Sequence, residues 1–351
     1  MPLYTVRVGR SITIFDVAHE AGVSKSTVSN VVRGVDEVSD ETRQRVLAVI
    51  EKLNYKPNGV ARQFVKRRTT IVGVLVGDLG NPYHAHLAQA VERALFGCGH
   101  TAMFCNIEGD DELAVAGVES LVEQRVAGFV FLAFIERTPR LAESLQRAGV
   151  PTVTIGLRQE WTDSVGPRDR EGGRLAAQHL LDLGHRRIGY VRTSTVEAVG
   201  DRARYRGYAS VLRGAGIQPQ ALAWDPIAGA MRVGRRSLPL SDALTGSGAP
   251  TAAVVWNDHT AIALIDACEG VGILVPSRLS VVGFDDIAVS ELRRISLTTV
   301  AQPLGLQAEK AVAMLLDRIT GDRDGRPRHV SVPVTLRVRG STAPPREAHR
   351  A

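Results

Sequence analysis

Lys25, Ser26, Ser29, Asn30 and Arg33 fall on one side of a short helical pattern, opposite a stripe of Val28, Val31 and Val32. A row of ammonium, hydroxyl, amide and guanidinium groups can donate and accept hydrogen bonds along one face, as base edges and phosphates require. The elements that must present it are written nearby. Thr13-Ile14-Phe15-Asp16-Val17-Ala18-His19-Glu20-Ala21 sets Ile14, Val17, Ala18 and Ala21 at helical spacing, and Gly22 stops the helix with a residue that tolerates left-handed backbone. Ser24 is placed to cap the second helix, Lys25 to Arg33, which Gly34 closes. A third helix is expected from Ser39, with Asp40 and Glu41 at the positive end of its dipole. Helix, glycine turn and a second helix with a polar outer face is a geometry that enters a DNA major groove; an ordinary helical subdomain is the plainer alternative.

Pro57-Asn58 opens a fourth segment, in which Asn58 can cap a helix over residues 59–65. About two turns containing a glycine do not hold alone in water, so this helix needs a partner. Val60, Ala61 and Phe64 offer an apolar side to a second copy, within the positive charge of Arg62, Lys66, Arg67 and Arg68. A paired cationic helix with an exposed aromatic suits a minor groove, where an apolar wedge can part a base step. The alternative is a flexible linker. Residues 1–68 hold twelve Lys or Arg against seven Asp or Glu, and so carry five of the six net positive charges of the 351-residue chain. Basicity confined to the first fifth argues for a polyanion-binding head on a nearly neutral body.

Beyond residue 69 the pattern changes to short apolar runs alternating with helical segments. Ile71–Val76, Ala102–Cys105, Gly128–Leu132, Thr152–Ile155, Arg187–Val191, Ala252–Trp256 and Ser280–Phe284 read as strands, most without alternation, as strands buried on both faces do. β-α units repeated in this way predict doubly wound parallel sheets. A break near residues 165–171 divides them into two lobes. Cys98, Cys105 and Cys268 are odd in number and widely spaced, and read as reduced core residues rather than disulfides or a zinc site. Neither a signal peptide nor a run long enough to span a membrane is visible, so a cytoplasmic, nucleoid-associated protein is expected, without cofactor or metal.

The head motif Asp16-Val17-Ala18…Ala21-Gly22-Val23-Ser24…Thr27-Val28-Ser29 resembles the opening of the lactose/galactose repressor (LacI/GalR) family of bacterial transcription regulators. Asn54-Tyr55-Lys56-Pro57-Asn58 with Ala61-Arg62 is similar to the family's hinge. Asn81-Pro82-Tyr83, Leu183-Gly184-His185, Arg204 with Gly207-Tyr208, Asn257-Asp258, Ser280 to Asp286 and Leu297 to Gln302-Pro303 follow in the family's order. The resemblance covers nearly the full length. It implies a helix-turn-helix head at 11–56, a hinge at 57–68 and a two-lobed, periplasmic-binding-protein-like body at 69–340. Lobe 1 would span about 69–165, lobe 2 about 166–297, with 298–340 crossing back and 341–351 a flexible tail.

The resemblance further implies a homodimer on a palindromic operator, controlled by a small molecule. Lys25, Ser26, Thr27 and Asn30 would face base edges or nearby phosphates, with Lys25 suited to guanine and Asn30 to adenine. Thr13, Ser24 and Ser29 would hold phosphates, and Asn58, Arg62 and Phe64 would serve the hinge. Phe64 stands where the family usually has an intercalating leucine. In the cleft, Tyr83, Arg204, Asn257 and Asp285 would bind the effector. A guanidinium, an amide and a carboxylate around an aromatic suit a sugar, whose hydroxyls both donate and accept. Each has a local alternative: Asp285 capping a turn, Asn257 capping the next helix, Arg204 pairing with Asp201. The tail lacks a leucine heptad, so dimers without tetramers are expected.

Two other function classes make different demands on the sequence. An α/β enzyme would need a nucleotide loop or nucleophile elbow, and the chain has no G-x-G-x-x-G after its first strand, no G-x-S-x-G and no P-loop. A sugar-binding protein without a DNA role would have no use for the basic head.

Overall fold

The computed structural model describes residues 12–33, 38–53, 55, 69–132, 138–156, 158–193, 199–246, 248–322 and 325–345. The expected hinge residues Asn58, Arg62 and Phe64 lie outside them. The chain divides into two compact units, residues 1–69 and 70–351.

In the first unit, α1 (Ile14–Ala21), α2 (Lys25–Arg33) and α3 (Asp40–Lys52) appear where their caps and stripes place them. Gly22 takes φ 64°, so the chain turns without the steric cost another residue would carry there. Val17, Ala18, Ala21, Val28, Val31 and Val46 close a small core. Thr27 N–H donates to Ser24 Oγ at 3.1 Å, so Ser24 caps α2 as its position predicts.

The second unit contains two sheets. In lobe 1, β1 (Ile71–Val76), β2 (Thr101–Asn106), β3 (Phe129–Leu132), β4 (Thr152–Ile155), β5 (Asp163–Pro167) and β13 (His329–Val332) run parallel in the order β13-β5-β4-β3-β1-β2. α4 (Pro82–Gly97), α5 (Asp111–Glu123) and α6 (Pro139–Ala148) connect them. In lobe 2, α7 (Asp169–Asp182) leads to β6 (Ile188–Thr193), followed by α8 (Val199–Gly214), β7 (Gln220–Asp225) and the hairpin β8 (Ala230–Val233)–β9 (Arg236–Pro239). Then come α9 (Leu240–Thr245), β10 (Ala252–Val255), α10 (Asp258–Gly270), β11 (Ser280–Asp285) and β12 (Thr298–Ala301). With β14 (Thr335–Arg337) these strands order as β14-β12-β11-β10-β6-β7-β8-β9, parallel from β12 to β7 and antiparallel at both ends.

The backbone passes between lobes three times: after β5, after β12 into α11 (Leu304–Thr320), and from β13 to β14. α11 belongs to lobe 1, where Ala308, Ala311, Val312 and Leu315 are buried among Val72, Val74, Val130 and Val153. Near these passes the carboxyl ends of β1 and β11 come together, since Gln302, just after β12, hydrogen-bonds both Tyr83 and Asp285; the crevice at such strand ends is the usual ligand position in open parallel sheets.

Three expectations are corrected. Residues 341–343 are not a free tail: Ser341 Oγ accepts from Thr298 N–H and donates to the Val281 carbonyl, and Ala343 N–H donates to Ser280 Oγ. Cys98 is exposed because it follows α4 at the surface, Cys105 is half-buried, and of the three only Cys268 is a buried core residue. Arg204 does not pair with Asp201, whose carboxylate takes the Tyr190 hydroxyl at 2.7 Å and Arg192 Nε at 3.3 Å. Among the described residues no helix is long and apolar enough to cross a membrane.

Candidate functional site

The head brings most of its predicted polar residues together. A groove of about 420 Å³ is lined by Ser24, Ser26, Thr27 and Asn30 of the second helix and by Ser39 and Thr42 at the start of the third. Ser24 Oγ lies 2.6 Å from Ser26 Oγ and 2.8 Å from Thr27 Oγ1, so the hydroxyls form one linked row. The sequence marks Ser39 only as the start of the third helix and does not mark Thr42; the available signal is that α3 opens with hydroxyls beside the α2 row. Thr13 is engaged within its own helix, its N–H and hydroxyl donating to Asp16 Oδ2 at 2.7 and 2.6 Å. Lys25 is exposed and Ser29 half-buried.

The body builds its site around one guanidinium. A Cβ on Gly173 would meet the Arg204 carbonyl at 2.0 Å, and one on Gly207 would meet the Arg170 carbonyl at 2.0 Å. These two glycines let α7 and α8 touch backbone to backbone. The contact delivers Arg204 to Asp169: Nε donates to Asp169 Oδ1 at 2.8 Å, while Nη1 donates to the Trp256 carbonyl. The guanidinium carbon stacks 3.6 Å from the Phe284 ring centroid, and Nη1 stands 3.8 Å from Asp285 Oδ1. Burial opposes the charge on Arg204, yet the two carboxylates raise its pKa above the ordinary arginine value.

Asp285 ends β11 with φ 124°, and Asp286 follows at φ 60°. Such backbone costs about 1–3 kcal/mol per residue and persists only where surroundings enforce it. Asp258 enforces it here: Oδ2 accepts from Ile287 N–H at 3.1 Å and Ser290 Oγ at 2.7 Å, while Oδ1 accepts from Thr299 Oγ1. Asp285 Oδ1 accepts from Gln302 Nε2 at 2.7 Å, and Gln302 Oε1 accepts from the Tyr83 hydroxyl at 3.3 Å. Two hydrogen bonds thus join Tyr83 on α4 of lobe 1 to Asp285 of lobe 2, and a looser ion pair extends the run to Arg204. Burial pushes the Asp285 carboxyl up to about 8 despite Arg204, and burial also raises Asp169 and the Tyr83 phenol. Asn257 caps α10, its Oδ1 accepting from Thr260 N–H at 2.8 Å, so its amide nitrogen is the group it can offer a ligand.

Tyr83, Arg204 and Asp285 are therefore linked in one cluster, while Asn257 lies next to Trp256, whose carbonyl holds Arg204. Gln302 and Phe284 lie within motifs that the sequence marks, though without a role of their own, and Asp169 lies in the break between the two lobes. Only the fold shows that they touch the chosen residues.

Residues 13–58 match the model of bacterial regulatory proteins of the lacI family, and residues 177–342 that of a periplasmic binding protein-like domain. The chain is 34% identical to the HTH-type transcriptional repressor PurR of Edwardsiella ictaluri, over 89% of this chain and 92% of that protein. The chain belongs to the LacI family. It is also 33% identical to the ribose operon repressor of Escherichia coli, over 88% of this chain and 93% of that one. Among solved structures, the Lac repressor dimer bound to operator and the anti-inducer ONPF superposes with a TM-score of 0.79 at 28% identity, covering 95% of this chain and 100% of that one. As a LacI-family member the protein is a ligand-responsive, DNA-binding transcriptional repressor, with its helix-turn-helix in the head and its ligand-binding module in the two-lobed body.

Proposed function

We propose that this repressor binds a palindromic operator as a homodimer and answers to a sugar held by Tyr83, Arg204, Asn257 and Asp285. Lys25, Ser26, Thr27 and Asn30 read base edges; Thr13, Ser24 and Ser29 fix the head on phosphates. Residues 57–68 serve as the hinge, where Asn58 and Arg62 contact DNA and Phe64 wedges a minor-groove step. The head spans 11–56 and the two-lobed body begins at 69. The protein is a cytoplasmic regulator rather than an enzyme, a reading supported by its repressor relatives.

The observation that carries this reading is the run Tyr83–Gln302–Asp285–Arg204, which crosses from one lobe to the other. A polyol entering there exchanges hydrogen bonds with both lobes and so favours one lobe angle over another. If only one angle spaces the paired hinge helices for DNA, ligand and operator affinity change each other by equal factors. A relative named for the ribose operon supports the sugar class. Selecting duplexes from a random pool with the full chain tests the DNA arm: an inverted repeat bound with steep salt dependence is expected, and recovery of no sequence overturns it.

A further inference from the structure

Gln307 is fully buried at the start of α11, next to Ala308 and Ala311 of the lobe 1 core. An amide in such a place is costly unless each of its polar atoms is matched. Gln307 Nε2 donates to Gln302 Oε1 at 3.2 Å. Its Oε1 is sealed from solvent and has no hydrogen-bond partner among the described residues. Turning the amide over does not relieve this. Gln302 Nε2 is committed to Asp285 Oδ1 at 2.7 Å, so Gln302 presents its oxygen both to the Tyr83 hydroxyl and to Gln307. A flipped Gln307 would set oxygen against oxygen and leave its N–H groups unmatched. A chain of amides that begins at Asp285 therefore fixes the orphaned atom of Gln307 as an acceptor.

We infer that Gln307 is a specificity-determining residue of the effector site, its Oε1 accepting from a hydroxyl of a neutral sugar, a role that rests on the reading of this cleft as a sugar site. The Tyr83 hydroxyl and the Gln307 amide share one acceptor, Gln302 Oε1. A sugar that parts Tyr83 from Asp285 thus arrives beside the Gln307 amide. At lobe 2 it meets the Arg204 guanidinium and the Asp285 carboxyl; at lobe 1 it meets an acceptor in need of a donor. A carboxylate or phosphoryl oxygen cannot fill that need, because it brings no hydrogen. An apolar substituent leaves the acceptor unmatched. Gln307 therefore selects a free hydroxyl at this end of the effector over a sugar acid, a sugar phosphate or a deoxy sugar.

The test uses the full chain, as wild type and as Gln307→Leu. Each is titrated calorimetrically with D-ribose, D-xylose, D-glucose, D-galactose and cellobiose, then with each monodeoxy form of the one that binds wild type most tightly. Leucine fills a similar volume without polar atoms, so Gln307→Leu should melt at or above the wild-type temperature. Gln307→Met replaces it if it melts lower. The best sugar should bind the apolar variant about tenfold more weakly than wild type. One of its monodeoxy forms should lose about tenfold on wild type and nothing on the variant, which identifies the hydroxyl that Gln307 accepts. Equal affinity of both proteins for every sugar overturns the inference and leaves Gln307 a structural amide. A loss on the variant that no monodeoxy form reproduces overturns it too, since the effect then runs through the placement of Gln302. Both results leave the sugar reading standing, whereas a wild type that binds none of the five sugars overturns the two together.

Discussion

The body holds two clusters of arginine and aspartate in which buried carboxylates and guanidiniums stand in opposite proportions. In lobe 1, one buried carboxylate serves two guanidiniums: Asp163 accepts from Arg318 Nη2 at 2.8 Å, Arg328 Nη2 at 2.7 Å and Arg328 N–H at 2.7 Å, while Arg328 Nη1 also reaches the partly exposed Asp317 at 2.6 Å. Burial works to raise its pKa, but these donors prevail and hold the carboxyl at about 2. In the cleft, one guanidinium serves two carboxylates, Asp169 at 2.8 Å and Asp285 at 3.8 Å, and burial leaves Asp285 near 8. The first cluster ties β5 to α11 and to the start of β13, with each acid oxygen supplied with donors. In the second, Asp285 accepts from Gln302 and has only a distant arginine, so a ligand's donors can still improve its solvation. Charge stoichiometry thus separates a cluster that holds the fold from the one proposed to take the effector.

That distinction is breakable by mutation, and the largest effect is expected at Asp163. Replacing it with alanine leaves Arg318 without a carboxylate and Arg328 with Asp317 alone, and should cost about 3 kcal/mol in urea-induced unfolding. A loss below about 1 kcal/mol would erase the contrast between the clusters. Arg204→Met should cost less, about 1–2 kcal/mol, because Asp169 and Asp285 can take up protons when left facing each other. The same variant should lose the thermal shift that an effector produces in wild type. The smallest effect is in pH dependence, where the signs differ. Asp163, depressed in the fold, contributes stability that is present above the ordinary aspartate range near 4 and is lost as pH falls through about 2. Asp285, raised in the fold, contributes stability that is fully present below about 4 and is lost as pH rises through about 8. Asp285→Asn should flatten the neutral limb of a melting-temperature profile and leave the acid limb in place.

The head was legible in sequence because its signals are local: a stripe, a glycine and a capping serine fix each helix within a few residues. Strands buried on both faces, such as β1 and β10, were legible for the same reason. β5 was not, since Asp-Ser-Val-Gly-Pro reads as a loop until Arg318 and Arg328, far along the chain, satisfy Asp163. The hairpin β8–β9 lacks an apolar run, having Arg232, Arg235 and Arg236 exposed, and takes its pairing from β7. Tyr83, Arg204, Asn257 and Asp285 were placed by resemblance rather than by pattern. Their partners Asp169 and Phe284 depend on the packing of α7, α8 and β11 within lobe 2, and Gln302 on the passage that follows β12, none of which a local signal encodes.

Operator affinity measured by anisotropy with and without a panel of pentoses, hexoses and disaccharides tests the central claim most directly, using wild type and Arg204→Met side by side. One sugar should change the wild-type Kd by about tenfold or more and leave that of Arg204→Met unaltered, while both proteins bind the operator equally well in its absence. An operator affinity indifferent to every sugar, or a response that survives loss of Arg204, would contradict the account.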